Sequence, residues 1–279
     1  MMNRKKIFSI TIILSLITLL VYLFISAPVP LQKKTDVEAK AYSVEDGFDV
    51  LAKINDITRT FYTKNIVGEG KKVGLKFDEN WKDEDVEAGP LPALFLREIS
   101  GIIEKSPVEL GLYLGSDFPI SKANLFKGIQ AEKFQEIKKD KKPKFFFDDD
   151  TKRYVGMFPD FASAGACVSC HNDHKDSPKK DWQLNNVMGA TTWSYANDSL
   201  TTNELLEWIK IYRKGAINTF ELYLDEVNNF NTTEKPEIGS LWPSGGGYHL
   251  PTKSVMKDTL TKLTAKELLT RILKEEDEK

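Results

Sequence analysis

The chain has 279 residues, of which 41% are hydrophobic, 29% charged and 11% aromatic, and its formal net charge is −2. This composition belongs to a packed globular protein and excludes a disordered one. Setting aside the three positive charges of Arg4, Lys5 and Lys6 takes the remainder from −2 to −5, which leaves no basic field for a nucleic acid.

The first element is the run from Ile7 to Ala27, which carries no charged side chain and is long enough to cross a bilayer as a helix. Arg4, Lys5 and Lys6 precede it and are expected to stay in the cytoplasm, so the rest of the chain is expected outside. Ile25-Ser26-Ala27 loosely resembles a cleavage site, but the apolar run is longer than a signal peptide needs, and a retained anchor is expected over residues 1–30. A linker over 31–45 follows. Phe48, Val50, Ile54, Ile57 and Phe61 then recur at helical spacing up to Tyr62-Thr63, an amphipathic helix whose ordinary meaning is a packed face.

Gly68 to Gly89 reads as a charged, glycine-containing loop carrying Trp81. Pro92 suits the first turn of a helix that continues through Leu94, Phe95, Ile99, Ile102 and Ile103. From Val108 the period shortens. Val108–Leu114 predicts a strand, Lys133–Lys139 a helical patch, and Phe145–Phe147 with Arg153–Met157 a hairpin around Asp148-Asp149-Asp150. Val187–Tyr195 predicts a last strand.

Between the hairpin and that strand lies Cys167-Val168-Ser169-Cys170-His171, which holds both cysteines and one of the three histidines of the chain. Cys-x-x-Cys-His is the haem c attachment pattern, in which two thiols add to the haem vinyl groups and the adjacent histidine ligates the iron. A dithiol redox site would expect a preceding strand and a following helix, whereas Ala162–Ala166 and Asn172–Pro178 predict a loop on both sides. A structural zinc site would have to complete its ligands with His174 or the distant His249. No cysteine is left for a structural disulfide.

Thr201-Thr202-Asn203-Glu204 is a capping box that opens a helix with one face through Leu205, Ile209, Tyr212, Ala216, Phe220, Tyr223, Val227 and Phe230. The loop Gly239–Thr252 interrupts it, and Thr264-Ala265-Lys266-Glu267 predicts the start of a last short helix. The expected organisation is an α+β domain over 46–198, in which a sheet backs the cofactor loop, and a helical C-terminal extension over 199–279. No sequence repeat and no nucleotide-binding or phosphoryl-transfer motif is present.

Arg59-Thr60-Phe61-Tyr62-Thr63, Leu114-Gly115-Ser116-Asp117-Phe118-Pro119, Arg153-Tyr154, the stretch from Cys167 to His174 and Ser177-Pro178-Lys179-Lys180-Asp181-Trp182 together give a resemblance. Over Asn55 to Tyr195 the chain resembles a haem c-binding, PAS-like family of bacterial extracytoplasmic domains. The resemblance implies a PAS-like sheet with one covalent haem c, often mounted as the outer sensing domain of a receptor. The chain departs from that family at His174-Lys175, where a His-Pro is frequent, and at Asn185–Gly189.

On this reading Cys167 and Cys170 attach the haem and His171 is the proximal ligand. Met157 and Met188 are candidates for the sixth position, each with core filling as its plain alternative. Arg153 is the first choice for the haem propionates, ahead of Lys179 and Lys180. His174 is a propionate or ligand-supporting group, or simply an exposed residue. Electron transfer with a protein partner is expected, with a gas or redox sensor signalling through a separate partner as the alternative, because so little chain precedes the anchor. An enzyme at an open iron site comes third.

Overall fold

The structure is a computed structural model and describes residues 4–26, 41–231, 235–239, 242 and 249–277. Most of the expected linker (31–40), Pro28-Val29-Pro30 and much of the glycine-rich loop (243–248) lie outside the described residues. Two compact units are present, 1–40 and 41–279. In the first, α1 (Arg4–Ile25) is a helix of 22 residues. Its side chains from Ile13 to Leu23 are exposed. Among the described residues no helix is long and apolar enough to cross a membrane, and in α1 the described side chains are those of 13–23.

The second unit opens with β1 (Ala41–Ser43) and α2 (Val44–Phe61). The predicted helix end at Thr63 is overrun: Tyr62–Gly68 is a π-helical stretch that runs into α3 (Glu69–Lys72). Short β2 (Phe77–Asp78) and β3 (Gly89–Pro90) pair in parallel and close the charged loop. There follow α4 (Pro92–Glu104), β4 (Gly111–Gly115), α5 (Gly128–Asp140), β5 (Lys144–Asp148), β6 (Arg153–Phe161), α6 (Gly165–Asp173), β7 (Val187–Tyr195) and β8 (Ser199–Thr201). The chain continues with α7 (Thr202–Asn229), β9 (Glu237–Ile238), β10 (His249–Leu250) and α8 (Lys253–Asp277).

The main sheet has the order β4-β7-β6-β5, with every pair antiparallel. This mixture of one sheet and flanking helices is the expected α+β architecture. Strand alternation sends side chains to two faces. One face meets α5, where Val155, Met157, Val187 and Ala190 pack against Phe126, Phe134 and Ile137. The other face belongs to the larger core, which joins Trp193 and Tyr195 of the sheet to Phe48, Leu51, Phe95, Ile99, Trp208, Tyr212 and Phe220. Gly156 sits where α2 crosses the sheet: a Cβ there would lie 2.8 Å from Phe48 Cδ2, so a side chain would push the helix away.

Helix α7 therefore does not extend the domain but fills its core. Its amphipathic face was legible from the sequence, and the capping box is present, with Thr201 accepting from the Glu204 backbone and Glu204 accepting from that of Thr201. The place where that face docks was not legible, because the partners come from α2 and α4, more than a hundred residues upstream. Tyr212 donates to Asn55 Oδ1 at 3.0 Å and stacks edge-on against Trp193. At the C-terminus α8 starts at Lys253 rather than at Thr264, which lies buried within the helix. Thr264-Ala265-Lys266-Glu267 has the composition of a capping box, but the helix has already been running for three turns, so Thr264 caps nothing.

If α7 is core, truncating its buried and exposed residues must differ in cost. Phe220→Ala should destabilise by about 3–5 kcal/mol, and Leu206→Ala, on the exposed side, by under about 0.5 kcal/mol. Chemical denaturation measures both, and equal losses would contradict the packing.

Candidate functional site

The connection from β6 to β7 carries the site. At its base Asp160 pairs with Gly189 and Phe161 with Val187, with a register shift between Asp160 and Phe161. The extra residue changes the alternation, which is why Val187 and Ala190 reach the same core although they stand three apart. Beyond the strands the chain stays pinned: the buried Ala162 donates to Asn186 O at 2.9 Å and accepts from Asn185 N at 3.0 Å.

From this base rises α6, and here the expected loop is corrected, since Cys167, Cys170 and His171 stand on a helix. The sequence around them is short of core-forming side chains, which hides a helix whose hold is polar. Asn172 and Trp182 supply that hold: Asn172 Nδ2 donates to Trp182 O at 3.0 Å, and Trp182 N donates back to Asn172 Oδ1 at 2.9 Å. Helical geometry puts residues three and four apart on one face. Cys167 thus shares a face with Cys170 and His171, and both thiols are free. No residue of α6 is buried.

The buried Trp182 meets the His171 ring edge-on at 6.4 Å between centroids. Phe118 approaches Trp182 from another side, and the Lys179 ammonium stands 4.9 Å from the Trp182 ring centre. The ring nitrogens His171 Nδ1 and Trp182 Nε1 are both buried without a hydrogen-bond partner. Burial pulls the His171 pKa below its ordinary value and His174 adds to this, while Asp160 works against it. A neutral imidazole keeps a lone pair, as a metal ligand must. For Cys170, burial pushes the thiol pKa up, and Glu79 adds to this against the pull of Lys71.

His174 ends the helix. Its Nε2 faces Glu79 at 3.2 Å and its Nδ1 accepts from Asp176 N at 3.1 Å. The Glu79 contact ties α6 to the charged loop after α3, which the sequence reading left without a role. That loop borders an open cleft of about 600 Å³ whose lining mixes Lys71 and Lys76 with Asp78, Asp85 and Glu87, over Phe77 and Val86. Its volume is in the range of cofactor sites.

The other expected residues divide. Arg153 begins β6 and donates to Ser194 and to Glu109 O. At about 3.3 Å per strand residue it stands roughly 23 Å along the strand from Asp160, so it is not at the strand end from which α6 rises. The arginine at this end of the sheet is Arg59, whose Nη2 donates to Asp160 Oδ2 at 3.0 Å. Sequence reasoning quoted Arg59 within a motif but gave it no role, since only the crossing of α2 over the sheet brings it there. Met157 is wholly buried in the α5-side core, and releasing it to a ligand would open a cavity. Met188 is half-buried at the end of the sheet from which α6 rises, and its carbonyl accepts from Ser116. His249 lies far along the chain, 3.4 Å from Glu237. Lys179 pairs with Asp181. Lys180 is exposed.

These features define an α+β domain whose Cys-x-x-Cys-His helix is inserted between two central strands. The model of the Tll0287-like family matches residues 37–195, and the chain belongs to that family. The match ends at Tyr195, as does the resemblance drawn from the motifs. Comparison with curated proteins and with solved structures found no match.

The electrostatics of Cys170 give a direct test. In the reduced, unmodified chain carrying Cys167→Ser, alkylation of Cys170 at neutral pH should be slow. Adding Glu79→Gln removes a negative charge that holds the thiol up, so the rate should rise roughly twofold or more as the thiolate fraction grows. An unchanged rate would mean that Glu79 does not act on the thiol.

Proposed function

We propose that this chain is an extracytoplasmic mono-haem c protein, anchored in the cytoplasmic membrane by α1, that exchanges electrons with a protein partner. The observation that carries the reading is the composition of α6: two free thiols and an imidazole with an unpartnered buried nitrogen share one short helix in which no residue is fully buried. Short helices gain most of their stability from packing, and two thioether links would supply what α6 lacks. The donor set fits the group. Cys167 and Cys170 would hold the haem covalently, and His171 would ligate its iron, which supplies one-electron redox chemistry.

The chain's own residues have distinct tasks. Trp182 backs the His171 ring and excludes water from that side. The cleft on the loop that His174 reaches through Glu79 offers Phe77 and Val86 to a flat macrocycle, and Lys71 and Lys76, which stand among Asp78, Asp85 and Glu87, to its carboxylates. These lysines replace Arg153 as propionate partners, and His174 holds the cleft loop through Glu79. Met188 remains the methionine at the right end of the sheet for the sixth position. The anchor rests on the charge-free run from Ile7 to Ala27, of which the 19 residues from Ile7 to Ile25 are helical and rise about 28 Å, close to the thickness of a hydrocarbon core.

One observation favours the sensor as the second reading. Arg59 on α2 is ion-paired to the sheet end that carries α6, so a change at the site can reach the first helix of the domain. Carbon monoxide binding to the reduced protein separates the two readings, being slow where a strong sixth ligand must leave and fast where the position is open.

Covalent attachment is tested on denaturing gels stained for haem peroxidase activity, after expression with a haem c maturation system. The unaltered chain should stain. Cys167→Ser and Cys170→Ser should each lose most of the signal, and His171→Ala should keep some stain but lose the native spectrum. Haem that extracts into acidic organic solvent from the unaltered chain would refute the attachment.

A further inference from the structure

We infer that the lysine-rich surface around Phe118, next to the Trp182 wall behind α6, is a docking face for the acidic surface of a protein partner. For the partner it rests on the electron-exchange reading, which it deepens by naming the face and the chemistry that seats there.

Three segments meet at this surface. Residues 116–125 leave the end of β4, 138–144 join α5 to β5, and 174–182 return from α6. Lys138 pairs with Asp117, and its ammonium stands 5.9 Å from the Phe118 ring centre. Lys179 stands 6.0 Å from the same centre, and Phe118 meets Trp182 edge-on at 6.4 Å between centroids. Ser116 bridges to Leu125 and so brings it alongside.

Together the three segments carry nine lysines against four aspartates, an excess of five positive charges on a chain whose net charge is −2. Three of the aspartates are already taken, by Lys138, Lys144 and Lys179. Lys122, Lys139, Lys141, Lys142, Lys175 and Lys180 are exposed and form no ion pair among the described residues. Phe118 and Leu125 stand among these charges with 39% and 41% of their surfaces exposed. An apolar centre inside a charged rim is the anatomy of a protein interface, which favours a protein over a layer of lipid headgroups. The rim steers an acidic partner and fixes its orientation. Lys138 and Lys179 are already held by their carboxylates and over the rings, so seating a partner costs them little side-chain freedom. Trp182 is the one ring between Phe118 and His171, 6.4 Å from each, so a partner on this face sits close to the proposed iron ligand.

The test uses the full chain in nanodiscs of zwitterionic lipid, with a fluorescein-labelled peptide of alternating glutamate and leucine as the probe. Fluorescence anisotropy should show binding that weakens as salt rises. Combining Lys139→Glu with Lys180→Glu should weaken it roughly tenfold or more, and Phe118→Ser roughly threefold or more. Lys214→Glu, at an exposed position of α7, should leave it unchanged. No binding, or an equal loss in the Lys214 variant, overturns the inference. Vesicles of phosphatidylglycerol that bind the nanodisc-held chain while the peptide does not would make the face a membrane surface and overturn it too. Haem is scored separately by the gel stain: a chain without covalent haem that binds the peptide in this way refutes the electron-exchange reading and keeps the docking face.

Discussion

The pairing of β6 with β7 is the constraint on which the rest of this structure depends. It is the centre of the sheet, so both cores form against it, and its open end is where α6 begins. The register shift between Asp160 and Phe161 lets one strand end serve two purposes. Val187 still reaches the α5-side core, while Asp160, on the face of β6 that carries Gly156, pairs with Arg59 of α2. Without the shift, one residue of offset on β7 would turn Val187 away from the α5-side core.

A buried charge needs a partner, and the partner has to come from an element with a fixed position. Helix α2 provides this because it is anchored along its length by Phe48, Leu51 and Ile54, all wholly buried. Tyr212 on α7 reaches the same helix through Asn55. The polar cluster at the edge of the larger core thus connects the first and the longest helices of the domain to the sheet end beneath α6. The aromatic residues nearby have a different task. Trp182 and Phe118 form a wall behind His171, and Lys179 sits over both rings at 4.9 and 6.0 Å from their centres.

The α6 helix itself shows how a motif can stand out in a sequence while its local structure does not. Cys167, Cys170 and His171 were singled out by type and spacing, which are properties of the chain. The surrounding Ala162–Ala166 and Asn172–Pro178 offer no amphipathic period, so the sequence suggested a loop. A helix forms because Asn172 and Trp182 bond each other across the return of the chain. That contact spans ten residues and leaves no periodic trace. Arg153 fails for the complementary reason: its chemistry suits a carboxylate, but chemistry does not say which end of a strand faces the site.

By itself the sequence determined the Cys-x-x-Cys-His motif, the apolar first segment, the α2, α4 and α7 faces, the capping box of α7 and the α+β class, because each is written in residue type or in a period of two or 3.6 along the chain. Only the tertiary structure decided that α7 belongs to the core, that Arg59 and not Arg153 stands at the end of the sheet from which α6 rises, that Met157 is enclosed, and that the charged loop after α3 meets His174 through Glu79. These are outcomes of packing between distant segments: the choice between Arg59 and Arg153 was made by where α2 crosses the sheet at Gly156, and no local pattern records a crossing.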